Sequence, residues 1–169
     1  DIGLNFNDIS KVHLIACGTA YYSCLVAKYY FEQYARLPVE CDMASEFRYR
    51  DPVLDNKALY IFVSQSGETA DTKAALDYCK DAKVRTLSIV NVMNSSIARE
   101  SDYCLYTKAG AEIGVASTKA FTAQLSVLLS MALHCGTKNN NVTIEQNREI
   151  CKEIMQAPQI LEKTIKRSY

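Results

Sequence analysis

Five short apolar runs punctuate the chain: Val12 to Ala16, Val39 to Met43, Leu59 to Val63, Thr86 to Val90 and Tyr103 to Thr107. Each has the length of a buried strand. The segments between them carry helical spacing. Tyr21 to Ala35 places Leu25, Val26, Tyr29 and Tyr30 along a long helix that Arg36-Leu37-Pro38 should break, because proline removes a donor and restricts its predecessor. Ala44 to Arg50 reads as a short helix or turn closed by Asp51-Pro52, Asp71 to Lys80 as an amphipathic helix, and Ser95 to Glu100 as a short helical piece. Ser117 to His134, with Ala120, Phe121, Leu125, Leu128, Leu129 and Met131, has the pattern of a largely buried helix. A polar linker from Gly136 to Asn141 is expected next. A charged helix then runs from Thr143 to about Gln156, with Pro158 opening a further turn or helix up to Lys166.

Strands alternating with helices at this spacing specify an α/β fold. The expectation is a five-stranded, mostly parallel sheet with helices on both faces, a three-layer αβα sandwich. With no internal repeat and no second core, residues 11–136 read as one domain, after a polar lead-in (1–10) and before a helical connector (137–169).

A chain of 169 residues can bury roughly 70% of the surface its unfolded form exposes, so a packed core is expected. Lysine plus arginine equal aspartate plus glutamate at 19 each, which favours neither nucleic acid nor an anionic membrane as a partner. No run approaches the ~20 apolar residues of a membrane span and no signal segment opens the chain, so a soluble cytoplasmic protein is expected. The seven cysteines are odd in number and lack a C-x-x-C pair, which reads as reduced, packed thiols. With two histidines besides, no metal site is expected. Cys17, at the end of the first run, reads as a packed thiol rather than a nucleophile.

The richest chemistry lies in Ser64-Gln65-Ser66-Gly67-Glu68-Thr69, between the third run and the helix that follows it. A strand, a hydroxyl-rich turn around one glycine and a helix start aim several donors at one spot, which suits an anion. An ordinary turn with Ser66 or Thr69 as helix cap fits the same residues. There is no G-x-x-x-x-G-K-[ST], no G-x-S-x-G and no G-x-G-x-x-G, so neither a nucleoside triphosphatase, nor a hydrolase elbow, nor a dinucleotide site is indicated. In a doubly wound sheet of 2-1-3-4-5 order this turn would meet Cys17-Gly18-Thr19-Ala20-Tyr21 at the switch point. The stretch Glu112 to Lys119 leaves the same edge. All three loops are rich in neutral donors, and Lys119 is their one candidate cation, more plausibly solvated than ligand-bound. A phosphorylated sugar therefore suits the set better than a nucleotide.

Cys17 to Tyr21, Ala44 to Arg50, Ser64 to Thr72 and Glu112 to Thr122 together closely resemble the sugar isomerase (SIS) domains of the glutamine:fructose-6-phosphate aminotransferase family, in order and over nearly the whole chain. The resemblance implies a flavodoxin-like fold. It implies that Ser64, Gln65, Ser66 and Thr69 bind phosphate while Thr19, Val115 and Ser117 contact the sugar, fructose 6-phosphate or glucosamine 6-phosphate. No cofactor is implied. Ala20 stands where that family often has serine, so one hydroxyl contact is expected to be lost or replaced by water. The chain resembles the first SIS domain of such an enzyme with the connector toward a second. Because the family's acid–base residues lie mainly in other segments, no residue here is assigned as catalytic. Weak phosphosugar binding without turnover is the expectation, and Glu112 is expected to bond loop donors rather than move protons. A homodimer is expected from the apolar surface of the first and penultimate long helices. A stand-alone phosphosugar sensor and a purely structural dimerisation half are the competing readings.

Overall fold

The computed structural model describes residues 3–114 and 117–168. Five parallel strands, β1 (Lys11–Ala16), β2 (Val39–Met43), β3 (Ala58–Ser64), β4 (Arg85–Val90) and β5 (Tyr103–Tyr106), form one sheet in the order β2-β1-β3-β4-β5. The expected αβα sandwich is present, with strand ends within about one residue of those the apolar runs imply. Along β3 every residue is buried, and alternation sorts its side chains between two cores. Leu59, Ile61 and Val63 face α1 (Gly18–Tyr30) and α5 (Lys119–Lys138), whereas Ala58, Tyr60 and Phe62 face the layer of α2 (Ala44–Phe47), α3 (Ala70–Asp81) and α4 (Ser96–Glu100). A central strand covered on both faces must be apolar throughout, which is why it reads as a continuous run. Each large side chain so buried stabilises the fold by roughly 1.5–3 kcal/mol.

The helices depart from expectation in instructive places. The first ends in a π-helical turn, Phe31–Ala35, closed by Arg36 in the left-handed region at φ 55°. Gly136 does not open a linker. It lies inside α5, where a Cβ would stand 2.3 Å from the Tyr34 carbonyl oxygen, so the glycine serves close packing of α5 on the π-turn. Nor does Pro158 divide the final segment, because α6 runs unbroken from Ile144 to Arg167. A proline deprives the carbonyl four residues earlier, that of Ile154, of its donor. Ile154 is only half-buried and its neighbours are exposed, so water can take the donor's place and the helix continues.

The expected polar lead-in is also corrected. Leu4, Phe6 and Ile9 are 8%, 4% and 5% exposed and join the α1/α5 core, since the segment's polar residues alternate with apolar ones that the sheet edge can cover. By length and composition α5 is apolar enough to cross a membrane, contrary to the reading of the runs. In the fold it is a core helix, with Ala120, Leu128, Met131, Ala132 and Leu133 buried.

Candidate functional site

The carboxyl ends of β1 and β3 lie side by side, with Ala16 opposite Val63. From there α1 and α3 leave for opposite faces of the sheet. This is the switch point of a doubly wound sheet, where the strand ends open a crevice. The turn bearing Thr19 and the turn Ser64 to Thr69 therefore rise from adjacent strands, about 4.8 Å apart. Thr19 is half-buried and makes no hydrogen bond to the other site residues among the described ones.

Within the second turn the side chains are organised. Gly67 has φ +67°, and a Cβ there would meet the Ser95 side-chain oxygen at 2.0 Å, so both the backbone angle and the space demand glycine. Its carbonyl accepts from the Ile97 amide at 3.1 Å and its amide donates to Ser64 Oγ at 3.0 Å. Ser64 Oγ also pairs with Thr69 Oγ1 at 2.9 Å. Whichever hydroxyl donates in that pair, the other keeps a free proton, and Thr69 is the more exposed of the two. Ser66 Oγ accepts from the Glu68 amide at 3.1 Å, which also leaves its proton available.

The capping explanation is tested directly by this geometry. Thr69 stands at the N-cap of α3 but makes no side-chain cap bond, so the first-turn amides of the helix keep their donors. Cys17, at the N-cap of α1, likewise caps nothing with its side chain. Carboxylates cap the other two helices at this edge. Glu68 accepts from the Ser96 amide at 2.7 Å at the start of α4, and Glu112 accepts from the Thr118 amide at 2.8 Å at the start of α5. Those amide bonds hold both carboxyls below the usual carboxylate range. Glu112 thus bonds loop donors as expected, and it fills the α5 terminus otherwise open to an anion. Two helix ends at the switch point are left without a side-chain cap, those of α1 and α3, and the one flanked by hydroxyls is that of α3.

Other expected residues are placed less centrally. Gln65 lines a crevice of about 580 Å³ with Asn91, Tyr106, Lys108, Gly110 and Glu112, beside the switch point and over the β4 and β5 ends. The hydroxyl of Ser117 lies 3.5 Å from Glu112 Oε2, within the loop that leads to α5. Val115 falls outside the described residues. Lys119 is exposed and donates to the Ala111 carbonyl at 2.6 Å, so it braces the loop. At Ala20 no hydroxyl is regained, because the nearby Ser23 donates inward to the Ala20 carbonyl at 2.7 Å. Lys73, one turn into α3, is committed to Asp77 at 2.6 Å and Glu100 at 2.5 Å. The donors of the phosphate turn are therefore neutral, and the crevice beside it has one cation in its lining, the exposed Lys108. Among the described residues no cluster of histidine, cysteine or carboxylate has metal-binding geometry.

Sequence reasoning missed Asn91, placed only in a loop. Its amide donates to the Gln65 carbonyl at 3.1 Å, Oδ1 accepts from the Ala109 amide at 2.8 Å and from Thr107 Oγ1 at 3.0 Å, and Nδ2 donates to the Gly110 carbonyl at 2.8 Å. An asparagine just past a strand is a known backbone-bonding position, which is the only local signal it gives.

Comparison with known proteins agrees with this architecture. The SIS domain family model matches residues 5–134. Over 165 residues, 98% of its length, the chain is 50% identical to the glutamine–fructose-6-phosphate aminotransferase (isomerizing) of Brucella abortus biovar 1, and it spans 27% of that relative's length. Among solved structures, the C-terminal domain of glucosamine-fructose-6-phosphate aminotransferase from Francisella tularensis superposes with a TM-score of 0.86 at 44% identity, covering 89% of this chain and 43% of that one. Glucosamine-6-phosphate deaminase from Thermotoga maritima matches with a TM-score of 0.73 at 26% identity, over 94% of this chain and 48% of that one.

Proposed function

The chain belongs to the SIS domain family, and on that premise we propose that its switch-point turns bind a hexose phosphate, fructose 6-phosphate or glucosamine 6-phosphate. The observation that carries the reading is the uncapped N-terminus of α3, flanked by the free protons of Ser66 and of the Ser64–Thr69 pair. A phosphate placed there accepts backbone N–H and hydroxyl donors in the field of the helix, a field worth ~0.3–1 kcal/mol per charge. Gln65 completes the phosphate turn. Thr19, Val115 and Ser117 are the proposed sugar contacts, reached from the neighbouring strand end and from the loop before α5.

The chain is homologous to about a quarter of the length of the aminotransferases it matches. Within an enzyme of that kind, its proposed task is to hold fructose 6-phosphate while nitrogen from glutamine is transferred to the sugar carbonyl and the ketose becomes an aldose. Proton transfer beside a carbonyl needs a positioned base and acid. Glu112, engaged by the α5 amides, is not assigned to either role, and the 169 residues alone are proposed to bind without turnover. The expected unit 11–136, extended by the lead-in residues that join its core and by the end of α5, is the proposed binding unit, and the chain beyond Lys138 is a connector. A reducing, cytoplasmic setting fits the seven unpaired cysteines. A homodimer is proposed from the exposed stripe of α1, where Tyr22 is 62% and Tyr29 71% exposed with Leu25 between them.

Calorimetric titration with glucosamine 6-phosphate and fructose 6-phosphate tests the binding reading, with unphosphorylated glucosamine as control. Both phosphosugars should bind and the control should not. Ser66→Ala should weaken binding about tenfold, the usual cost of one hydrogen bond to a charged group. No heat from either ligand would favour a purely structural role, and equal binding by the serine variant would put the phosphate somewhere other than this turn.

A further inference from the structure

We infer that Asn91 is the positioning residue of this site: its side chain clips the loop after β5 to the end of β4, where its own amide holds the turn after β3, and so sets where the sugar contacts stand relative to the phosphate turn. The inference rests on the hexose-phosphate reading and adds to it a residue that touches neither phosphate nor sugar.

The loops at this edge have few regular backbone bonds of their own. Among the described residues between Tyr106 and the start of α5 there is neither helix nor strand, and Lys108 adopts φ 52° there. Asn91 supplies what the backbone does not. Its Oδ1 receives Ala109 N–H and Thr107 Oγ1–H, and its Nδ2 reaches the Gly110 carbonyl, so each polar atom of the side chain is used. Two residues beyond Gly110, Glu112 takes over the bracing through the Thr118 amide and the Ser117 hydroxyl. Asn91 thus holds Gly110 and, two residues along the chain, Glu112 reaches Thr118 and Ser117, so the bracing passes from β4 to the proposed sugar side in two steps.

The backbone and side chain of Asn91 do separate jobs. Its amide holds the Gln65 carbonyl at 3.1 Å, a bond that survives any substitution except proline. The phosphate turn is further held by Ile97 N–H on the Gly67 carbonyl and by Ser64 on the Gly67 amide. Truncating the side chain therefore releases the loop over residues 107–112 and leaves the phosphate turn in place. Sites built on loops lose affinity when the supporting contacts slacken, even though every ligand-touching group remains.

The test pairs Asn91→Ala with two probes, glucosamine 6-phosphate and inorganic phosphate, and adds amide hydrogen exchange without ligand. In the variant, exchange at Ala109 should quicken at least tenfold, glucosamine 6-phosphate should bind roughly tenfold more weakly, and inorganic phosphate should change less than twofold. Asn91→Asp keeps the acceptor for Ala109 and loses the donor to Gly110, so it should retain Ala109 protection; it also serves if the alanine variant folds poorly. Unchanged exchange over 107–112, or equal weakening of both probes, overturns the inference. Failure of the unsubstituted protein to bind either probe would instead defeat the hexose-phosphate reading, while the exchange arm still decides whether Asn91 organises the loop.

Discussion

At the scale of single residues, the local motif was legible and its supports were not. The hydroxyls of Ser64, Ser66 and Thr69 and the amide of Gly67 act through partners no more than five positions away, so adjacency in sequence announced them. Gly67 gives the sharpest prediction. Gly67→Ala must place a Cβ at φ +67° and 2.5 Å from the Ser95 Cβ, which should destabilise the protein by on the order of 2 kcal/mol, read as a lowered thermal midpoint. Adding Ser95→Gly should recover the steric part and leave the backbone part, because the two costs have separate origins. Asn91, by contrast, bonds residues 16 to 19 positions downstream, and the Glu112 cap is legible only once Thr118 is known to begin a helix. Partners at such separations are fixed by the topology, and no pattern within a window reports them.

At the scale of elements, the strands were read well because a sheet covered on both sides leaves unbroken apolar runs. The helix ends were read less well. Glycine at 136 and proline at 158 normally stop helices, yet here one answers to the approach of Tyr34 and the other sits where solvent replaces the lost bond. α6 has no buried residue and depends on its own start, where Thr143 and Gln146 form a reciprocal capping box. Thr143→Ala should cost α6 about 1 kcal/mol of local stability, seen as faster exchange over its first two turns. The midpoint of global unfolding should stay unchanged, because the sheet does not rest on that helix.

At the scale of the whole molecule, a buried imidazole contributes to the acid limb of stability. His13, 3% exposed, is stacked on Tyr60 and edge-on to Phe47. Burial pushes its pKa below 6.5, outweighing the hydrogen bond to Asp42 at 2.6 Å and the attraction of Glu40, while Lys11 adds to the lowering. Arg50, 2.6 Å from Asp42, occupies the same carboxylate. An unfolded imidazole gains its proton at higher pH than the folded one, so this contribution is complete above about 6.5 and is lost as pH falls through the lower folded value. Thermal midpoints should therefore hold level from about pH 8 to 7 and decline below 6.5. His134 is lowered in the same direction by partial burial and Lys138, so His13→Gln should reduce the decline and His134→Gln should alter it less. Asp102, held below 3.8 against its burial by Lys80 and Thr86, adds its loss only in stronger acid.

The open end of α3 has one further consequence. Attraction at that end comes from fixed peptide dipoles and hydroxyl protons at bonding distance, with the exposed Lys108 ammonium set off in the neighbouring crevice. Bonds made at contact are weakened by dissolved ions less than the dipole and ammonium fields around them. Brine should therefore loosen this dianion less than one held by several lysines.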